Sequence, residues 1–266
     1  LTQFIGFPNY GDEYKVMGLA TYGEAKYMDE MRQIILLQDD GSFRLNMDYF
    51  IYHKEKVEYE WENGSPSVGR LFSDKLCELF GPIRKKGEEL TQHHIDIAHS
   101  VQAMYEEAFF HLINKLHERH GLDSLCIAGG CGMNSVANGK VKRNSPYKHV
   151  YIQSAAGDAG GAIGAAFVAH YQLNSKVERE FVMDHAYFGN SYTNDEIETI
   201  LNSYNNKLTE KGCRVEMVED KARLPRTANA NTEGKVLGCF LGRMERGPRE
   251  LRKRSRQGYP RGPARI

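Results

Sequence analysis

The sequence predicts an α/β fold, and three observations carry that prediction. A short apolar strand, Leu125–Ala128, breaks into a glycine-rich loop, and a second strand, His149–Ile152, breaks into another. An Ala- and Gly-rich helix follows the second loop over Ala162–His170. A long amphipathic helix, about Ile95–His120, precedes both strand-loop passages. Strands that alternate with helices in this way are typical of α/β domains.

Bulk composition excludes several classes of partner. The chain has 266 residues, of which 41% are hydrophobic and 26% charged, and its formal net charge is zero. This length allows one large domain or two small ones. A neutral chain gives no global reason to expect nucleic acid or an anionic membrane as a partner. No apolar run reaches the roughly 18 residues that a membrane span needs, and no signal peptide opens the chain.

The cysteines indicate a reducing compartment. They are odd in number, scattered, and never arranged as C-x-x-C: Cys77, Cys126, Cys131, Cys213 and Cys239. This pattern predicts a reduced, cytoplasmic protein and argues against a zinc site built on thiolates.

The first predicted element is a short helix. Apolar spacing over Val16–Ala20 suits a helix that Gly23 ends. Asp12, Glu13 and Lys15 stand at its start, among several glycines. They indicate either a site or a helix N-terminus at which acidic residues favour the helix dipole. On spacing alone, the ordinary helix N-terminus is the preferred interpretation.

A β-hairpin is predicted next. Its strands are Ile34–Leu37 and Phe43–Tyr52, and Asp40-Gly41 supplies the turn. The polar stretch Lys54–Ser67 is predicted to be a loop, and Val68–Phe80 a helix that ends before Gly81-Pro82.

The long helix is predicted from its apolar periodicity. Apolar residues recur in it at three- and four-residue steps: Ile97, Val101, Met104, Ala108, Leu112 and Leu116. Gly121 is its natural C′ residue. Histidines cluster near both ends, but none forms the i, i+4 pair of a two-ligand helical metal site.

The C-terminal third is predicted to hold one helix and two strands. Thr193 and Glu196 form a capping box that opens a helix ending near Tyr204. The stretches Cys213–Val218 and Lys235–Leu241 are predicted strands, and a charged, glycine-containing loop, Gly242–Arg249, follows them.

The two glycine-rich loops predict a phosphate or nucleotide site. Small residues at a strand-to-helix junction let a ligand reach the backbone, and unpaired N–H groups there attract anions. The first loop contains Gly129, Gly130 and Asn134, and the second carries one acid, Asp158. Asp158 is also a candidate N-cap of the following helix, and Asn134 is a candidate turn or cap residue.

Four segments together resemble the O-carbamoyltransferases of the NodU/CmcH/TobZ type: Gly11–Gly23, Ala128–Lys140, Ala155–Ala166 and Gly234–Ser255. The most specific pieces are E-Y-K-V-M-G-L-A from Glu13, A-G-G-x-x-x-N-S-x-A-N from Ala128, and A-A-G-D-A-G-G-A from Ala155. Sugar kinases and other actin-like ATPases carry loops similar to the second piece alone, but the four segments occur in the family's order.

The resemblance implies a fold and a division into domains. Residues 1–186 would form an actin-like, ribonuclease-H-like lobe of a Kae1-like domain. Residues 187–266 would begin a YrdC-like α/β domain that is incomplete. From Ser255 onward, nothing matches the family. The basic, Gly- and Pro-rich tail, Arg252–Pro263, is predicted to be disordered because its composition cannot bury apolar surface.

The resemblance also implies chemistry. ATP and carbamoyl phosphate would form carbamoyl adenylate, and the carbamoyl group would pass to a hydroxyl of a small molecule, natural product or sugar. A divalent metal, Fe²⁺ in the family, would bind the nucleotide, and a homodimer is compatible with this reading. Carried over by motif, the site residues are Gly129, Gly130, Asn134, Arg249 and Arg254 for the nucleotide, Asp158 for the metal, and Glu13 and Lys15 on the substrate side.

Two departures from the family pattern limit this expectation. The paired metal histidines of the family's first lobe, H-x-x-x-H, are absent, so Asp158 has no obvious partner ligand. The C-terminal motif is altered at four positions, Arg246, Glu250, Arg252 and Lys253. We therefore expect a fragment that lacks the N-terminal lobe and most of the C-terminal domain and is inactive by itself. An actin-like ATPase or sugar kinase, and a non-catalytic nucleotide-binding remnant, remain as alternatives.

Overall fold

The computed structural model describes residues 1–61, 66–174, 178, 180–235, 237–240, 243–244 and 254–257. The chain divides into two compact units, Leu1–Ile152 and a second unit that begins at Gln153. Helices and strands occur in both units, which confirms the mixed α/β class. The actin-like lobe and the domain boundary after residue 186 stay predictions. Among the described residues, no helix is long and apolar enough to cross a membrane.

The first unit contains six helices and six short strands among its described residues. The helices are α1 (Glu13–Leu19), α2 (Met28–Ile34), α3 (Lys75–Phe80), α4 (Gln92–His120), α5 (Ser135–Asn138) and α6 (Val141–Asn144). The strands are β1 (Ile35–Leu37), β2 (Phe43–Leu45), β3 (Tyr59–Glu60), β4 (Ser67–Val68), β5 (Ser124–Ile127) and β6 (His149–Ile152).

The 29-residue helix α4 runs through the core of this unit. Its first half packs against buried apolar side chains from α1, α2 and α3, among them Leu19, Met31 and Phe80. Its second half meets a smaller cluster through Ile113, next to Leu125 of β5. Full burial of a large apolar side chain stabilises a fold by about 1.5–3 kcal/mol, so these contacts hold α4 firmly in place.

The buried face of α4 is more polar than its apolar periodicity predicts. Leu112 and Leu116, the last two residues of the apolar periodicity, are 40% and 39% exposed and so lie outside the buried core. Asp96, Ser100 and Gln102 are buried instead. The predicted end of the helix is confirmed, because Gly121 has φ +63° and its N–H donates to His117 O at 2.7 Å.

The predicted hairpin is confirmed, but with a shorter second strand. β1 and β2 pair antiparallel from Ile35↔Leu45 to Leu37↔Phe43. Asp40 Oδ1 accepts a hydrogen bond from Ser42 N at 2.9 Å and so closes the turn. The second strand stops at Leu45 because the Asn46 side chain caps a 3-10 turn by accepting from Asp48 N at 3.2 Å.

The helix predicted over Val68–Phe80 is wrong in its first half. Val68 pairs with Tyr59 in a two-residue antiparallel ladder, so the predicted loop between residues 54 and 67 also contains strand. Ser73 Oγ then donates to Asp48 O at 2.6 Å, and Ser73 N donates to Tyr49 O at 2.9 Å. These bonds hold residue 73 outside a helix, and α3 begins only at Lys75.

Strands β5 and β6 form the parallel pair that positions the first glycine-rich loop. Their register runs from Ser124↔His149 to Ile127↔Ile152. The loop, α5 and α6 connect them, so this passage is a β-α-β crossover of the kind that parallel strands require.

The described part of the second unit contains α7 (Ala159–Leu173), α8 (Asn194–Ser203), α9 (Asn205–Glu210), α10 (Asp220–Thr232), β7 (Leu237–Phe240) and β8 (Arg254–Gln257). Where the structure of this unit describes the side chains, only those of Ala155 and Ala156 are buried. Helix α7 starts three residues before its predicted start and ends three residues after its predicted end.

The capping box of α8 is confirmed in both directions. Glu196 N donates to Thr193 Oγ1 at 3.3 Å, and Thr193 N donates to Glu196 Oε2 at 2.7 Å. The strand predicted over Cys213–Val218 is wrong, because these residues pair with no other described strand. The predicted strand at Lys235–Leu241 corresponds to β7, which pairs with β8.

Candidate functional site

The first glycine-rich loop leaves β5 through a backbone conformation that favours glycine. Gly129 has φ +102° and ψ 165°, a region that residues with a side chain rarely adopt. A 3-10 turn over Gly130–Met133 follows, and Asn134 is then the N-cap of α5. The loop is therefore a tight turn whose backbone is exposed at its apex.

Open space lies over the two leading glycines. A Cβ placed on Gly129 or Gly130 would meet no other atom within 4 Å. Packing within the protein therefore does not explain why Gly130 lacks a side chain. The arrangement fits the close approach of a ligand to the backbone, as at phosphate-binding loops.

The second glycine-rich loop differs in this respect. A Cβ on Gly160 would overlap the carbonyl oxygen of Ala155, so glycine is needed there for packing. Gly161, the next residue of the second loop, has open space over it. The first loop therefore differs in having open space over both Gly129 and Gly130, and the backbone conformation accounts for glycine at residue 129.

Asn134 acts as the helix cap that was one of its two predicted roles. Its Oδ1 accepts a hydrogen bond from Ala137 N at 3.0 Å, which satisfies an unpaired N–H at the start of α5. A direct contact between Asn134 and a nucleotide stays a prediction.

A buried glutamine on α4 holds Asn134 in place. Gln102 is 8% exposed, and its Nε2 donates to Asn134 Oδ1 at 3.1 Å. In return, Asn134 Nδ2 donates to Gln102 Oε1 at 2.9 Å. Gln102 Nε2 also donates to Glu106 Oε1 at 3.0 Å, and Glu106 pairs with Lys140 through its other oxygen. Sequence reasoning missed all three of these residues.

Two further hydrogen bonds fix the path of the loop. Tyr105 on α4 donates its hydroxyl to Cys131 O at 2.9 Å. Burial raises the pKa of the Tyr105 hydroxyl to about 12, and the proximity of Cys131 and Glu106 adds to the effect. Asn138 Nδ2 donates to Gly132 O at 2.7 Å. The last Asn of the A-G-G-x-x-x-N-S-x-A-N motif thus closes the loop that its glycines open.

The segment from Glu13 to Ala20 contacts the start of α5, directly after this loop. The Ser135 hydroxyl donates a hydrogen bond to the sulfur of Met17 on α1, at 3.8 Å. Lys15 forms an ion pair of 2.6 Å with the buried carboxylate of Asp12, and Glu13 is exposed. Asp12 does not cap α1 with its side chain, because its other oxygen accepts from Asn9 N at 3.3 Å. The substrate-side roles of Glu13 and Lys15 stay predictions.

Asp158 occupies the N-cap position of α7 in the second unit. Its backbone is helical and its side chain, which is exposed, makes no capping hydrogen bond. Within the described ranges, no three His, Cys, Asp or Glu side chains come close enough together to hold a metal ion. One carboxylate does not make a tight metal site, so the described residues alone do not fit the expected metal.

Comparison with known sequences decides the family. The profile described as "Carbamoyltransferase N-terminus" matches residues 1–167, which include the whole of the first unit and the glycine-rich loops. The chain belongs to the NodU-type carbamoyltransferase family.

Nodulation proteins are among the relatives of this chain. It is 31% identical over 261 residues to nodulation protein NolNO of Sinorhizobium fredii, a match that covers 97% of the chain and 34% of the relative. It is 32% identical over 252 residues to NolO of Bradyrhizobium diazoefficiens, a match that covers 94% of the chain and 40% of the relative. An uncharacterized protein of Synechocystis sp. is 42% identical over 269 residues, covering 98% and 40%. The chain thus spans about two fifths of these relatives.

The two arginines expected at the nucleotide fall in the last eighteen residues of the sequence. Arg249 lies outside the described residues. Arg254 begins β8, and its backbone pairs with Phe240 of β7. Its side chain lies outside what the structure describes. The phosphate-binding role of both arginines stays a prediction.

Proposed function

We propose that this chain supplies the nucleotide loop of an ATP-dependent O-carbamoyltransferase. In this proposal, the backbone of Gly129 and Gly130 and the amide of Asn134 bind the phosphates of ATP. The carbamoyl group of carbamoyl phosphate is then transferred, through carbamoyl adenylate, to a hydroxyl of a small molecule, natural product or sugar.

One observation supports the proposal above the others. The loop of a carbamoyltransferase-family chain leaves open space over Gly129 and Gly130, although hydrogen bonds from Tyr105 and Gln102 hold the loop itself firmly. A rigid loop with an open backbone binds an anion without first having to be ordered.

The proposed reaction balances in three steps. Carbamoyl phosphate and water give carbamate and orthophosphate. A carbamate oxygen attacks the α-phosphorus of ATP, the bond to the β-phosphate breaks, and pyrophosphate leaves. The acceptor oxygen then attacks the carbamoyl carbon, AMP leaves, and the acceptor hydroxyl loses its proton. AMP and pyrophosphate are therefore the products that distinguish this chemistry from that of a kinase, which releases ADP.

The other predicted residues have subordinate roles in the proposal. Asp158 would be one ligand of a divalent metal, with its remaining ligands outside the described residues. A bound divalent cation would gather phosphate oxygens and neutralise their charge. Arg249 and Arg254 would donate hydrogen bonds to the same phosphates, because guanidinium groups match that geometry.

Calorimetry on the protein at its full natural length tests the loop assignment. ATP should bind, and Gly130→Ala and then Gly130→Val should weaken the binding in order of side-chain volume. Thermal unfolding provides the control, since a small side chain at residue 130 meets no protein atom. ATP affinity that is identical in the wild type and in Gly130→Val would contradict the proposal.

A further inference from the structure

We infer that Gln102 is a positioning residue for the proposed nucleotide site. Through Glu106 and Lys140 it sets which way the amide of Asn134 points, and so directs the remaining N–H of Asn134 to the phosphates. The inference rests on the proposed function, because it names the device that prepares the same loop for ATP.

The hydrogen-bond capacity of the two amides carries the argument. An amide oxygen can accept two hydrogen bonds, and an amide nitrogen can donate two. Asn134 Oδ1 already accepts from Gln102 Nε2 and Ala137 N, so its capacity is filled. Asn134 Nδ2 donates to Gln102 Oε1 and, among the described residues, has no second acceptor. One N–H of Asn134 is therefore left for a ligand.

A residue of α4, Glu106, fixes the direction of the hydrogen bonds between the two amides. A carboxylate accepts hydrogen bonds and cannot donate them. Glu106 therefore requires the NH₂ group of Gln102 to face it, at 3.0 Å, and this turns the Gln102 oxygen towards Asn134. Lys140 Nζ pairs with the second oxygen of Glu106. The order Lys140, Glu106, Gln102, Asn134 thus admits one orientation of each amide.

The location of Gln102 makes this order rigid. Gln102 is buried on α4, and Glu106 lies one turn further along the same helix. The reciprocal amide pair joins α4 to a loop 32 residues away in the chain. Asn134 therefore does not need to reorient when a ligand arrives, which reduces the entropy cost of binding.

A pair of variants separates positioning from simple support of the fold. Gln102→Met keeps the length and bulk of the side chain but removes its hydrogen bonds. Ser100→Ala, on the same helix, removes the buried hydroxyl that donates to Asp96 O at 2.8 Å, away from the loop. Both variants should lower the unfolding temperature, but only Gln102→Met should change the affinity of the proposed site for ATP.

The test measures ATP affinity by calorimetry on the protein at its full natural length. Gln102→Met should weaken binding about tenfold, the loss expected for one hydrogen bond. Asn134→Ala should give a similar loss, and the double variant should add little to either. Ser100→Ala should leave the affinity unchanged.

Each outcome bears on a different claim. Wild-type affinity in Gln102→Met, or losses that simply add in the double variant, would overturn the positioning role while the proposed function stands. Failure of the wild-type protein to bind ATP would overturn both. Hydrogen exchange of the Ala137 amide supplies a further measurement. The Ala137 N–H should exchange faster in Gln102→Met than in the wild type, and at the wild-type rate in Ser100→Ala.

Discussion

The side-chain amides of Gln102 and Asn134 hydrogen-bond to each other in both directions, at 3.1 and 2.9 Å. This pair joins helix α4 to the first glycine-rich loop. Asn134 at the same time caps α5. One side chain therefore links the core, the loop and the helix that follows it.

Asn134→Ala should lower the free energy of unfolding by about 2 kcal/mol. The variant loses a helix cap, worth about 1 kcal/mol, and leaves the buried Gln102 amide partly unsatisfied. Ser135→Ala is the adjacent control, since Ser135 is exposed and should change stability by less than about 0.5 kcal/mol. Denaturant unfolding measures both, and equal stabilities for the two variants would contradict the structural role of Asn134.

Alanine substitution should lower the stability of the protein in the second glycine-rich loop but not in the first. Gly160→Ala should destabilise the protein, because its Cβ would overlap the Ala155 carbonyl. Gly130→Ala should leave the unfolding temperature near the wild-type value, because no atom lies within 4 Å of its Cβ position. Thermal unfolding of the two variants compares them directly, and a large loss of stability in Gly130→Ala would refute the open loop.

Asp96 should make stability depend on acid pH. Burial alone would raise the pKa of this carboxyl, but hydrogen bonds from Lys26, Gln92 and the backbone of Glu24 outweigh it and hold the pKa below its usual value. Its contribution is present above the unfolded pKa, about 3.9, and is lost as the pH falls through the lower folded pKa.

Asp96→Asn should accordingly cost about 2 kcal/mol at neutral pH and less in acid. Asp29→Asn is the matched control, because the Asp29 side chain is 95% exposed and lies 3.5 Å from Arg32. The control should change stability by less than about 0.5 kcal/mol at any pH. Denaturant unfolding between pH 7 and the acid limb measures the difference, and a constant gap between wild type and Asp96→Asn would contradict the account.

Tyr105→Phe should lower stability by about 1 kcal/mol through loss of the hydrogen bond to Cys131 O. Tyr52→Phe is the control, because Tyr52 is exposed. In an ultraviolet pH titration, the variant should lack the tyrosine that ionises at about pH 12. If Tyr105→Phe instead removed a tyrosine that ionises near the ordinary tyrosine pKa, the burial of the Tyr105 hydroxyl would be contradicted.

Thr193→Ala should weaken α8 by about 1 kcal/mol, the usual worth of an N-cap. Thr199→Ala, in the same helix, removes a hydroxyl that donates back to Asp195 O at 2.8 Å and should not weaken it, since alanine is the better helix former. Amide exchange across residues 194–203 compares the two variants. Equal protection in both would argue against the capping box.

Local signals in the sequence predicted local structure well. The capping box at Thr193, the C′ glycine at 121 and the Asp40-Gly41 turn each depend on neighbouring residues, and all are present. The sequence does not predict α10, because Pro225, a usual helix breaker, lies inside it. The start of α3 was misplaced because Ser73 bonds to a turn some 25 residues earlier in the chain.

The residues that hold the candidate loop in place could not be predicted either, because they too contact it from distant positions in the sequence. Gly129, Gly130 and Asn134 were identified from a motif, but Gln102 bonds to Asn134 across 32 residues. The one available signal was a glutamine seven residues after Ile95, on the same buried face of α4. A polar side chain in an apolar stripe marks a buried hydrogen bond, but not its partner.

The central claim is that this loop serves carbamoyl adenylate chemistry, and the nucleotide products test it most directly. Phosphorus NMR would follow ATP and carbamoyl phosphate with the protein at its full natural length, and Gly130→Val would serve as the impaired-loop control. The account predicts AMP, pyrophosphate and orthophosphate that depend on carbamoyl phosphate, with slower release in the variant. Formation of ADP in their place would contradict it.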